Sequence, residues 1–267
     1  MQNHHRLQII SKTPWIWLDQ TKCSPEQGLS CYFNIPSKLC QQTSDIFPLE
    51  KNTPQQGFVT SYCPDFIYDS ESRTQFRTAT TAYLFGSGLS DFVLDEVQRQ
   101  LHVIFPHGLV PAQMITVHVR VNDKSSEMRL VSMNEYVSAV QRIVDGRKII
   151  KGQDNTINIY VATEDPKIEQ LFKAAAPSSW NIYVDIFPSL YPGQRGLGNW
   201  DAWASVALKG GTCTQSLASL VIAMESNDFV LTTKSNWSRL MEQLRIGLVD
   251  KICGGCTTMI DLRPGFW

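Results

Sequence analysis

Apolar positions change their spacing along the chain, and the changes mark out its elements. Over residues 1 to about 70, apolar runs such as WIWL at 15–18 are short and no period is sustained, which reads as short strands and long loops. From Thr74 to Phe105 the helical period takes over: Phe76, Tyr83 and Leu84, then Phe92, Leu94, Val97 and Leu101. This predicts two helices, the second capped by Ser90. Beyond them strands and helices alternate. Met114 to Val119 reads as a buried strand. Ser132 and Glu135 form a capping-box signature ahead of a helix carrying Tyr136, Val140, Ile143 and Val144. Strands are expected at Ile157 to Ala162, Asn181 to Phe187 and Asp228 to Thr232, and helices from Pro166, over 214–225 and from Asn236 to about Arg245.

This alternation implies right-handed crossovers and a mostly parallel sheet covered on both faces. The fold class is α/β. Residues 111–267 form a Rossmann-like half with helices on both faces of the sheet, and residues 1–110 a smaller, irregular N-terminal α/β half.

In such sheets ligands bind beyond the carboxyl ends of the strands. The first strand ends in His118-Val119-Arg120-Val121-Asn122-Asp123-Lys124, with Glu127 shortly after. Arg120 offers a planar, permanently charged fork suited to a diphosphate, and Lys124 adds a second positive charge. The plain alternative is a structural ion pair between Arg120 and Asp123. The second strand ends in Thr163-Glu164-Asp165-Pro166, whose carboxylates either accept from a nucleoside or simply favour a helix start. The last strand runs into Thr232-Thr233-Lys234-Ser235-Asn236 before a helix, a ready anion site in which Ser235 also suits an N-cap.

Composition narrows the field. The 267 residues are 43% hydrophobic and 18% charged with a net charge of -1, and the scattered Lys and Arg exclude the footprint of a nucleic-acid binder. No apolar run approaches the roughly 20 residues needed to span a bilayer, and the start lacks a signal-peptide core. Seven cysteines lack the paired spacing of a zinc site. Those near the start fit disulfides or free thiols equally, and Cys253 with Cys256 fits a local disulfide or a redox pair. There is no GxxxxGK[ST] loop and no dinucleotide fingerprint, which disfavours common nucleotide hydrolysis and NAD chemistry. The absence of an Asp-x-Asp pair leaves diphosphate neutralisation to Arg and Lys, so no metal is expected.

Together ITVHVRVNDK at 115–124, IYVATEDP at 159–166 and SNDFVLTTKSNWSRL at 226–240 resemble the fucosyltransferase superfamily that includes the α-1,6-fucosyltransferases and the protein O-fucosyltransferases. The first matches its HxRxxD motif. The resemblance covers about 110–245 and implies a GT-B-like architecture. GDP-fucose would be held by the C-terminal half and a glycan or glycoprotein acceptor would face the N-terminal half. It maps the diphosphate contact onto Arg120, a nucleoside neighbour onto His118, the acidic pair onto Glu164 and Asp165, the helix-start hydroxyl onto Ser235 and the proposed base onto Glu127, one residue closer than in the α-1,6 enzymes. It departs at Val121, where those enzymes carry a second arginine, and near Leu220, where they carry an aspartate.

The implied reaction is an inverting, metal-independent transfer with Arg120, Lys124 and Glu127 as its catalytic residues. His118, Asp123, Glu164, Asp165, Thr233, Ser235 and Asn236 join Arg120 in holding the donor, the only cofactor-like molecule required. Two alternatives stay open: another nucleotide-sugar donor (xylose, rhamnose or galactose) on the same fold, and a glycan-binding module without turnover. The stretch 188–213, with Tyr191, Arg195, Trp200 and Trp203 among glycines, suits a lid over a sugar or a packed surface loop. Trp15 and Trp17 suit the core or a sugar platform. Asn236-Trp237-Ser238 is a glycosylation sequon where a glycan would block the donor site, which leans against a glycosylating lumen and toward the cytoplasm, and the short N-terminal half fits one module of a larger polypeptide.

Overall fold

The computed structural model describes residues 18–24, 28–34, 70–121, 129–147, 156–185 and 211–265, the side chains of 70, 72, 73 and 76 excepted. The expectations for Trp15, Trp17, Asp123, Lys124, Glu127 and 188–210 lie outside them.

Five parallel strands form one sheet: β1 (Ile115–His118), β2 (Asn158–Ala162), β3 (Asn181–Val184), β4 (Asp228–Leu231) and β5 (Thr258–Asp261), in the order β3-β2-β1-β4-β5. The helices are α1 (Ser70–Gly86), α2 (Asp91–Ile104), α3 (Met133–Gly146), α4 (Lys167–Ala175), α5 (Gly211–Met224) and α6 (Asn236–Leu244); α6 continues through a π turn (Arg245–Val249) into the short α7 (Asp250–Cys253). Strand periodicity assigns the two faces. Ile115, Val117, Val119, Ile159, Val161 and Val230 pack with Tyr136, Val140 and Ile143 of α3 and Ile168 and Phe172 of α4. Their neighbours Tyr160, Ala162, Phe229 and Leu231 pack on the opposite side with α2, α5 and α6. Both faces being covered, β1, β2 and most of β4 are buried at every position, whereas the edge strands β3 and β5 are half-exposed.

The capping box forms as expected. Ser132 Oγ accepts from the Glu135 N–H at 3.3 Å and Glu135 returns the bond to the Ser132 N–H at 2.9 Å. Arg263, just past β5, adds a bond to the same carboxylate at 2.8 Å, and the Glu135 carboxyl is held down at about 2, chiefly by the Ser132 backbone N–H and then by Arg263. Ser132→Ala is expected to lower stability by about 1 kcal/mol in urea unfolding, with an unchanged denaturant slope.

Several expectations need correction. Ser90 stands at the N-cap of α2, but its hydroxyl makes no cap bond; the Val93 and Leu94 amides donate to its carbonyl, at 2.9 and 3.1 Å. Ser235 likewise caps α6 by position and not by its hydroxyl. Helix α1 begins four residues before Thr74, and α5 takes in 211–213, which the sequence assigns to the loop. The strand β5 and the π turn are not anticipated at all. Elements from the two sides of residue 110 pack together, α2 on α5 and α1 on α6, and Val97, Phe105 and Met114 share one core with the sheet. The described part of 18–34 joins this assembly through Leu18, Tyr32 and Phe33, which cluster with Leu89, Val93 and Leu217.

Candidate functional site

With the strand order β3-β2-β1-β4-β5, the chain turns one way from β1 and the other way into β4. The topological switch point therefore lies between the carboxyl ends of β1 and β4, where open α/β sheets place their ligand crevice.

His118 closes β1 on the face covered by α6 and is 5% exposed. Its Nδ1 lies 2.6 Å from Ser238 Oγ in the first turn of α6, and that oxygen accepts from the Thr232 N–H, just beyond β4, at 3.1 Å. Ser238 is fully buried, and which of the two atoms donates follows the tautomer of the imidazole. The imidazole itself is neutral. Burial first and the Arg120 charge second hold it neutral, taking its pKa down to about 3. This network ties the two strands that flank the switch point.

Two residues further on, Arg120 is ion-paired with Glu164, which follows β2, with side chains only 14% and 18% exposed. The pair spans β1 and β2 just above the last ladder bond, from the Val119 N–H to the Ala162 carbonyl at 2.9 Å. The alternative of an Arg120–Asp123 ion pair bears on a residue outside the described set. Below the pair, the Tyr136 hydroxyl from α3 faces the Arg120 backbone and the Thr232 hydroxyl without closing a hydrogen bond of normal geometry, and burial pushes its pKa up to about 12.

The remaining nominated residues divide. Asp165, beyond the carboxyl end of β2, accepts at Oδ1 from the Lys167 N–H at 2.9 Å at the start of α4. Thr233 is engaged with β5, its N–H donating to Asp261 Oδ1 at 3.1 Å and its hydroxyl bonding the same carboxylate while accepting from the Gly265 N–H at 2.8 Å. Ser235 is buried and Asn236 is exposed on the first turn of α6, beside the exposed Lys234. The structure thus brings His118, Arg120, Glu164, Thr233, Ser235 and Asn236 to the carboxyl ends of neighbouring strands.

Sequence reasoning misses Ser238, Thr232 and Tyr136 as parts of this site, and Asp261 as its support. Ser238 had a signal: it lies three residues before Met241 and six before Leu244, so a hydroxyl sits on the buried stripe of α6, where it needs a partner.

The cysteines resolve in part. Cys23 pairs with Cys31 and Cys253 with Cys256, while Cys213 keeps its thiol, raised to about 11 chiefly by burial. Both pairs are of a kind sustained in oxidising compartments, a sense opposite to that of the sequon. Among the described residues one group has ligand atoms within metal-binding reach of one another, Asp250, Cys253 and Cys256. Its two sulfurs are joined in a disulfide and Asp250 accepts from Thr257 and Arg245, so no thiolate is presented. No described helix is long and apolar enough to cross a membrane.

No protein-family model matches the chain, and no curated protein matches it. Among solved structures it is similar to the NodZ α-1,6-fucosyltransferase, in crystals soaked with GDP-fucose, with a TM-score of 0.36 and 12% identity over 66% of this chain. The match takes in 47% of that enzyme's chain, so this chain spans about half the length of the structure it matches.

Proposed function

We propose that the chain is a glycosyltransferase that transfers fucose from GDP-fucose to a hydroxyl of a glycan or glycoprotein, by one inverting displacement and without a metal. The observation that carries this reading is the Arg120 guanidinium fixed by Glu164 at the carboxyl ends of β1 and β2, next to a buried, neutral His118 that faces the switch point. A cationic fork oriented in advance suits a leaving diphosphate, because charge develops there as the sugar departs. A neutral imidazole places a polar ring edge beside the donor without a second buried charge.

In the reaction, the acceptor oxygen forms a bond to the anomeric carbon as the bond from that carbon to the β-phosphate oxygen breaks. GDP leaves with the electron pair, onto Arg120 and Lys124. The acceptor proton passes to Glu127. Asp123, Glu164 and Asp165 are assigned to donor binding, and Ser235 and Asn236 at the start of α6 to polar contacts with the phosphates, while Thr233, whose N–H and hydroxyl donate to Asp261, holds the turn that leads into them. Metal independence is supported by the absence of an Asp-x-Asp pair from the whole sequence.

Water can replace the acceptor in a slow side reaction, which supplies the test. With EDTA present, GDP should accumulate from GDP-fucose, and Glu127→Ala should slow this by about 10² to 10⁴-fold, the usual worth of a positioned base. Nucleotide release from a UDP-sugar alone would move the reading to another donor. Release from none of them would favour a binding module.

A further inference from the structure

Between α1, α6 and the carboxyl end of β5 lies a cavity of about 270 Å³, whose polar walls are Arg77, Thr78, Thr233, Glu242, Gln243 and Asp261. Its shape depends on a close crossing of α1 over the π turn. A Cβ at Gly247 would stand 3.0 Å from Thr78 Cγ2 and 3.1 Å from the Thr78 carbonyl, so glycine is what admits the approach. The π turn also sets Ile246 into the wall, and π turns inside helices recur at functional sites.

The polar groups are not equivalent. Asp261 is closed in, accepting from the Thr233 N–H and hydroxyl and from the Arg263 N–H. Gln243 Oε1 accepts from Thr81 Oγ1 at 3.0 Å, which leaves its amide protons to donate. Glu242 is half-buried and its carboxylate accepts no hydrogen bond from a described residue. Burial first and the Asp261 charge second push its carboxyl above the ordinary value, against the pull of Arg245. Solvent reaches the Glu242 oxygens, so a ligand hydroxyl would take the place of water there.

Charge and size narrow the ligand. Two carboxylates against Arg77 repel an anion, and Arg77 on the wall disfavours a cation. The volume sits at the small end of ligand pockets, near that of one sugar ring. Ile246 and Pro264 offer apolar surface to the C–H face of such a ring. We propose that this cavity is a saccharide site in which Glu242 accepts from a vicinal pair of hydroxyls and Gln243 donates to a ring or hydroxyl oxygen. That it seats the acceptor of the transferase is a further step, and only this step rests on the donor reading.

The probes are the methyl glycosides of N-acetylglucosamine, galactose, mannose and fucose, titrated to tens of millimolar into the ¹⁵N-labelled chain. At least one should give saturable amide shifts confined to 74–78, 242–246 and 261–265. Those shifts should vanish in Glu242→Ala, whose spectrum elsewhere reports its fold, and persist in Arg120→Ala. Should the alanine variant not fold, Glu242→Gln keeps the shape and should still weaken binding at least tenfold, since an amide cannot accept from both hydroxyls through two oxygens. The proposal is overturned if none of the four sugars shifts these amides, if the Glu242 variant that folds binds as the parent does, or if Arg120→Ala loses sugar binding too. Sugar binding that persists in a chain indifferent to GDP-fucose would keep this site and discard the donor reading alone.

Discussion

Arg120→Ala is expected to lower turnover of GDP-fucose by two to three orders of magnitude while the protein stays folded. Losing one preorganised donor to a developing charge typically costs about 2.7–4 kcal/mol in the transition state. Arg120 brings a full charge as well. Its removal also strands Glu164, whose carboxylate would then repel the diphosphate it had helped to organise. Arg120→Lys should recover only part of the loss, because an ammonium restores the charge without the planar fork. Double replacement of Arg120 and Glu164 by alanine and glutamine separates the two effects: it should repair any loss of stability and leave turnover low. Near-normal kcat/KM in Arg120→Ala would remove the arginine from the reaction.

The second large effect is on stability, and it follows from His118. In the folded chain the imidazole stays neutral down to about pH 3, while in the unfolded chain it takes up a proton near 6.5. The unfolded state therefore binds more protons between these values. Stability contributed by the neutral, buried ring is fully present above pH 6.5 and falls as the pH drops toward 3, by at most about 1.4 kcal/mol per pH unit. Glu135 works in a lower window, since its depressed carboxyl contributes stability present above about 4.5 and lost toward 2. Urea unfolding between pH 7 and 4.5 thus isolates the histidine from this carboxylate. His118→Gln should be less stable at pH 7 by about 1–3 kcal/mol, because Ser238 and Thr232 lose part of their network, and its stability should vary less across that range. Parallel curves for the two proteins would show that His118 is not the group that titrates.

The parallel sheet is legible in the sequence because its central strands are short runs rich in β-branched and aromatic residues ahead of helix starts, and both faces of such buried strands must be covered. The box at Ser132 and Glu135 is legible because it is a local device, closed within four residues. What escapes is non-local. The strand β5 is four residues long, half-exposed and preceded by Cys253-Gly254-Gly255-Cys256, so neither length nor alternation marks it out. Within the π turn Gly247 meets Thr78 some 169 residues earlier in the chain, a contact that no window can contain. Arg120 and Glu164 are both legible as site candidates, but their pairing belongs to strand order, since only the adjacency of β1 and β2 brings the two ends together. Likewise the bond between His118 and Ser238 needs β4 to lie beside β1, which the order of strands in the sheet decides and the order along the chain does not.

Calorimetric titration of the purified chain with GDP-fucose, GDP-mannose, UDP-xylose and UDP-galactose in the presence of EDTA tests the central claim most directly. Selective binding of GDP-fucose that disappears in Arg120→Ala is the result expected. Binding of a UDP-sugar in preference, or of none of the four, would contradict it.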